Sequence, residues 1–272
     1  MNKNLRSRQT KDGIRIYEES DFAGMHAAGA LAATILDDIA EHVQVGQSTA
    51  NIDQIITDKV NAAGATSATI GYKGYQHASC ISVNHVVCHG IPSEKTLKDG
   101  DILNIDVTVI VDGWFGDTSR MYVAGRLPRK AERLIQVTHD ALMLGIEAVK
   151  PGNTFGDIGH AIQSYAEAHR MSIVRDFCGH GLGRVFHAPP NVLHYGRPGS
   201  GPVLEEGMFF TIEPMVNLGR PETKTLADDW TAVTRDKSLS AQFEHSVGVT
   251  ETGADIFTLS PKGLFHPTYT MS

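Results

Sequence analysis

The sequence has few cysteines: Cys80, Cys88 and Cys178 are the only three, and their spacing fits neither a zinc ribbon nor a disulfide framework. A fold held by cross-links is excluded, and a reducing compartment is the simpler setting. No apolar run approaches the roughly 18–20 residues of a membrane span, and the first residues, MNKNLRSRQTKDGIRIYEES, hold no apolar signal segment. No membrane partner is expected, and a cytoplasmic location is. An excess of basic charge is also missing. With 24 Lys+Arg against 31 Asp+Glu the net charge is -7, so no overall field attracts polyanions and no specific nucleic-acid partner is expected. What is present, 41% hydrophobic and 20% charged residues over 272 positions, suits a globular chain that buries its core without staples. One domain over residues 1–272 is expected, without linkers or low-complexity stretches.

The chain repeats itself. Val43, Gly46, Ser48, Ile52 and Ile56 recur 106 residues later as Val149, Gly152, Thr154, Ile158 and Ile162. Leu97, Gly100, Ile105 and Asp106 recur at an offset of 107 as Leu204, Gly207, Ile212 and Glu213, and HGIP at His89 has an echo in HAPP at His187. Two related halves, about 20–125 and 126–250, follow. Each starts with an amphipathic helix, Asp21 to Val43 or Arg129 to Val149. A Gly turn then leads to a second helix capped near Ser48 or at Thr154. Strands close each half: GDILNIDVTVIVDGWFGDTSRMYVAG reads as a hairpin about Asp112-Gly113, and GMFFTIEPMV with LSAQFEHSVGVT ends the second half. Asn217 to Asp229 reads as a loop inside that second hairpin. Helix, helix and antiparallel strands, twice over, predict an α+β fold whose cleft between pseudo-symmetric halves holds the site.

Strand alternation places Asn104, Asp106 and Thr108 on one face and Leu103, Ile105, Val107 and Val109 on the other. It likewise puts Asp117 with Ser119, Glu213 with Thr211 and Met215, and Glu244 with Gln242 and Ser246. Acids are depleted from strands, and a buried carboxylate needs a partner or a metal. Any one of them alone reads most simply as an acid facing water. Four in strands, two of them related by the repeat, point to a compensating cation.

His180 in FCGHGLGRVFHAPP, between Gly179 and Gly181 with Gly183 beyond, is a candidate to complete the set, because glycines allow close backbone approach. His26, His42, His139, His160 and His169 fall in predicted helices and His266 in the tail, so they read as structural. His89 and His187 each open an H-x-x-P element in corresponding places, and the residues alone leave a site role and ordinary packing both open.

Taken together, CISVNHVVCHGIP, NIDVTVIVDGWFGDTSRMY, CGHGLGRVFHAPP, FFTIEPMV and SAQFEHSVGVT resemble the motif set of the type I methionine aminopeptidases, which have the pita-bread fold, over about residues 20–250. The resemblance implies a dinuclear centre in which Asp117 and Glu244 bridge two metals, Asp106 chelates one, and His180 with Glu213 completes the other. Four carboxylates and an imidazole, without thiolate, suit Mn, Fe or Co, with Zn also compatible. Such a centre holds metals about 3.5–4 Å apart and lowers the pKa of a water towards ~7, so that it attacks the first peptide bond. The resemblance further makes His89 and His187 substrate-contacting catalytic residues, Glu213 the general base, and Tyr72, Tyr75, Cys80, Phe186 and Trp230 the lining of a methionine pocket, where sulfur and aromatics suit a thioether. Without the resemblance those five read as core. Thr69 stands where many bacterial members carry cysteine, which bears on the pocket rim and not on the ligands.

The implied activity is removal of the initiator methionine from nascent polypeptides when the second residue is small, by a monomer that also contacts the ribosome. Prolidases carry a large extra N-terminal domain, and type II methionine aminopeptidases a helical insertion between the last two glutamates, whereas Glu213 and Glu244 here are 31 apart. No Cys/His-rich extension precedes the domain, as in the bacterial form. A binding module of the same fold would have lost ligands, and none is missing.

Overall fold

Four helices carry the halves: α1 (Glu19–Ile39), α2 (Thr49–Ala62), α3 (Arg129–Glu147) and α4 (Phe155–Ala168). This is a computed structural model, and it describes residues 8–267, so the predicted domain limits 1 and 272 lie outside the described residues. α1 starts where Glu18 and Asp21 form a capping box. It ends at Ile39, four residues before the predicted Val43, because the chain tightens into a 3-10 turn at Ala40–His42. Ser48 caps α2 by accepting from the Asn51 amide at 3.1 Å, and Thr154 caps α4.

The first half adds β1 (Thr66–Ser67), β2 (Ser79–Val83), β3 (Val86–Cys88), β4 (Asp101–Val111) and β5 (Trp114–Ala124). The second adds β6 (Ser172–Ile173), β7 (Gly179–Gly181), β8 (Ala188–Val192), β9 (Phe209–Ile212), β10 (Met215–Asn217), β11 (Thr223–Thr225), β12 (Ala232–Thr234), β13 (Ser240–Gln242), β14 (His245–Val249) and β15 (Ala254–Ile256). β4 and β5 form the predicted hairpin, with Val111 opposite Trp114. Asp112 at φ 49° and Gly113 at φ 79° make the turn left-handed at both central positions, which matches the twist of paired strands. β1 and β2 also pair with β4. A five-stranded antiparallel sheet runs β15-β14-β9-β7-β8, while β13-β10-β6 and β11-β12-β3 form smaller sheets. The segment read as a loop from Asn217 to Asp229 therefore contains β11, which its Lys and Thr residues did not mark as a strand.

The repeat is built into the backbone. Gly46 donates to the Leu97 carbonyl at 2.8 Å and Gly152 to that of Leu204 at 3.1 Å; the return bonds run from Leu97 to Gln47 at 2.9 Å and from Leu204 to Asn153 at 2.8 Å. The apolar face of β4 (Leu103, Ile105, Val107, Val109) packs on Ile35, Ile39, Ile52 and Ile56 of the first helix pair. Leu134, Ile135, Ile158 and Ile162 cover Phe210, Ile212, Val247 and Val249 in the second half. Helices thus take one face of each sheet, and the polar faces are left to meet. A Cβ on Gly116 would collide with the Ala28 carbonyl, so glycine lets α1 lie directly on β5. The sheets join where the Glu244 amide donates to the Ser119 carbonyl at 3.0 Å.

Candidate metal centre and substrate cavity

Asp106 and Asp117 reach the seam from adjacent strands. In the β4–β5 register Asp106 faces Ser119 and Asp117 faces Thr108, whose hydroxyl donates to Asp117 Oδ1 at 2.7 Å. The two glutamates arrive differently from the mid-strand placement expected of them. Glu213 lies between β9 and β10, and Glu244 between β13 and β14. At these breaks the chain passes between the five-stranded sheet and the sheet of β13-β10-β6, and Pro214 has no amide to continue a ladder. The freed amide of Glu213 donates to Nε2 of the buried His194 at 3.1 Å. Thr211 donates to Glu213 Oε1 at 2.9 Å and Gln242 to Oε2 at 3.3 Å. His180 is on β7, its amide bonded to the Thr211 hydroxyl at 3.0 Å. A side chain on Gly179 would strike the Thr211 carbonyl, which is why glycine precedes this histidine.

Ligand-competent atoms of Asp117, His180 and Glu244 all lie within 4.8 Å of one another. His180 Nε2 is 3.5 Å from Asp117 Oδ2 and 3.8 Å from Glu213 Oε1. Asp106 opens into the same cavity. Burial, reinforced by Asp117 and Glu213, pushes the carboxyls of Asp106 and Glu244 well above the usual carboxylate range. Burial also raises Glu213 to about 7, opposed by His180 and aided by Asp117. For His180 burial disfavours the charged form, yet Asp117 and Glu213 outweigh it and raise its pKa.

These residues fit a divalent cation. Among the described residues no donor reaches the side chains of Asp106 or Glu244, and the acids gathered here far outweigh a single imidazole. Unpaired buried carboxylates are costly unless a cation compensates them, and oxygen-rich donors with one imidazole are a hard set.

The cavity above the acids holds about 650 Å³. Tyr72, Tyr75, Cys80, His89, Phe186, His187 and Trp230 line it together with the four acids and the His180 imidazole. The Tyr75 and Trp230 rings stand 4.9 Å apart, those of Tyr72 and Phe186 5.0 Å, and His187 lies 4.2 Å from the His180 ring. Burial keeps the Cys80 thiol protonated, with Asp106 adding to the effect. His89 adopts φ 55°, an unusual backbone state for a residue other than glycine and one that concentrates at functional sites. Burial lowers the pKa of His89, and burial with His180 lowers His187 to about 4, so both imidazoles are neutral at pH 7. Thr69 is on the cavity wall, with its hydroxyl on the His77 carbonyl at 2.7 Å.

Residues 23–251 match metallopeptidase family M24. A methionine aminopeptidase of Rickettsia prowazekii is 57% identical over 257 residues, covering 94% of this chain and 99% of that protein. The chain belongs to the methionine aminopeptidases of this family. The methionine aminopeptidase of Escherichia coli strain K12 is 51% identical over 248 residues, covering 90% of this chain and 94% of that protein. The crystal structure of the Rickettsia prowazekii protein superposes with a TM-score of 0.90, covering 90% of this chain and 100% of that one. That of the Thermotoga maritima methionine aminopeptidase gives 0.88 at 38% identity, covering 90% and 99%. The prolidase of Pyrococcus horikoshii OT3, 20% identical with a TM-score of 0.71, shares the fold alone, and this chain covers 63% of it. Metal use follows from family membership. Among the described residues no helix is long and apolar enough to cross a membrane.

Within this methionine aminopeptidase fold, sequence reasoning missed several residues. Phe177, Cys178 and Asn191 line the cavity, and the first two sit inside the very motif that singled out His180. His194, fully buried, supports the Glu213 amide and is held neutral by burial. No spacing marks it, because it serves a backbone group and not a ligand atom.

Proposed function

We propose that the chain removes the initiator methionine from nascent polypeptides whose second residue is small. The observation that carries this reading is the gathering of Asp106, Asp117, Glu213 and Glu244 with His180 on one aromatic and sulfur-lined cavity. In this reading residues 1–272 form one catalytic domain acting as a monomer. The first half supplies Asp106 and Asp117, the second His180, Glu213 and Glu244.

Asp106, Asp117, His180, Glu213 and Glu244 would hold two divalent ions between them, and their donor set would suit Mn, Fe, Co or Zn. Bound there, the ions supply Lewis-acid polarisation of the carbonyl and make a water acidic enough to react at neutral pH. Glu213 accepts the proton of the attacking water and passes it to the departing amide nitrogen. His89 and His187 hydrogen-bond the peptide at the reacting carbonyl. The methionine side chain fills the space among Tyr72, Tyr75, Cys80, Phe186 and Trp230, where a flexible thioether packs against rings. A small second residue is required because His89, His187 and Phe177 crowd the cavity beside the acids.

Turnover and metal content measured on the same preparations test the site: Asp106→Ala and Glu244→Ala lose both, and an active, metal-loaded variant overturns the assignment. A cytoplasmic location and ribosome contact belong to the same reading, since initiator methionine is carried by newly made chains. Co-sedimentation with translating ribosomes at low salt checks the contact, and its absence counts against it.

A further inference from the structure

A second groove of about 560 Å³ borders the catalytic cavity, and Asn191 lines both. Asn191 is the cross-strand partner of His180, so the shared wall is one strand away from the acids. From there the chain alternates: Asn191 and Leu193 are exposed and Tyr195 half-buried, whereas Val192 and His194 are buried. Asn191, Leu193 and Tyr195 form a strip of the groove lining, the last two just beyond the end of β8 at Val192. The edge position of β8 leaves that strip open. Further along, Arg175 lies over the Tyr195 ring, Cζ 5.0 Å from the centroid, and Arg197 also lines the groove. Both arginines are exposed, neither has an ion pair among the described residues, and no Asp or Glu lines the groove. In a chain of net charge -7 such an acid-free, cationic groove, bordering the catalytic cavity at Asn191, is a distinct feature.

We propose that this groove binds the downstream stretch of the substrate polypeptide, in extended form, and favours acidic side chains there. The inference rests on the methionine-release reading. Four residues of extended substrate cover about 13 Å, and the groove lining runs from Asn191 at the catalytic cavity past Leu193 and Tyr195 to Arg197. A substrate whose first two residues occupy the catalytic cavity and whose third passes Asn191 therefore presents residues four to seven to Leu193, Tyr195, Arg175 and Arg197. Leu193 supplies apolar floor, Asn191 a polar contact to passing backbone, and the guanidiniums a forked pair of donors for carboxylates.

The test compares kcat/KM of Mn(II)-loaded enzyme on Met-Gly-Ser and on octapeptides Met-Gly-Ser-X-X-X-X-Gly, with X as Glu, Ser or Lys. Wild type should favour Glu over Lys by about fivefold, the size exposed charge pairs allow, and less so at high salt. In the Arg175→Ala/Arg197→Ala double variant the preference should vanish while Met-Gly-Ser is cleaved as in wild type, which also shows the variant is folded. Equal rates for Glu and Lys in wild type, or a preference that survives in the double variant, overturn the groove alone. Absence of methionine release from every peptide, Met-Gly-Ser included, overturns the activity and the groove with it.

Discussion

Replacing Glu244 by Gln should stabilise the metal-free protein while removing its response to metal. Ligand atoms of Asp117 and Glu244 lie within 4.8 Å of each other, and both side chains are buried, 3% and 2% exposed. Two unit charges at that distance repel by about 3.5 kcal/mol at an effective dielectric of ~20. Burial and Asp117 already raise the Glu244 pKa, so proton uptake relieves part of that repulsion. An isosteric neutral amide should then gain about 1–2 kcal/mol, or roughly 3–6 °C in Tm. Added Mn(II) at about 100 times Kd should give wild type ~2.7 kcal/mol, several degrees, and the variant far less. Thermal unfolding of both proteins in chelator and in Mn(II) reads all four values. A variant less stable than wild type in chelator, yet stabilised by metal to the same extent, would refute the reasoning.

Thr108→Val removes the hydroxyl that donates to Asp117 Oδ1 at 2.7 Å; calorimetric titration should show metal affinity down about tenfold to a hundredfold with an unchanged fold. His89→Ala should fold and bind metal but lose about 10²–10⁴ in kcat, by steady-state kinetics, and unchanged kinetics remove His89 from the chemistry. Asp157 accepts from the Thr154 and Gly199 amides at 2.7 and 2.9 Å, which hold its carboxyl below the usual range. Its folded pKa is lower than its unfolded one, so its contribution is full above the ordinary carboxylate pKa and fades as pH falls through the depressed value. Denaturant titration should find Asp157→Asn weaker by about 1 kcal/mol at pH 7, with the difference closing in acid.

Alternation along β4 made Asp106 visible in the sequence, because a long strand with one apolar face fixes which way every residue points. The same arithmetic misplaced Glu213 and Glu244: they lie where strands change sheets, and a two-residue break has no period to read. α1 looked longer than it is because Leu31, Ile35, Ile39 and Val43 stay four apart while the backbone tightens after Ile39. Tyr72, Tyr75, Cys80, Phe186 and Trp230 share no local pattern, so only the family resemblance grouped them, and the fold places all five on one cavity. His194 and Asn191 went unread for a related reason. Their partners are a distant backbone amide and a groove, neither of which leaves a mark on spacing.

The most direct test is release of free methionine from Met-Gly-Met-Met and Met-Leu-Met-Met by chelator-stripped protein, before and after addition of Mn(II), Co(II), Fe(II) or Zn(II). The account predicts no release without metal, and with metal release from the glycine peptide only. Release from chelator-stripped protein, equal cleavage of both peptides, or silence with every metal from folded protein would contradict it.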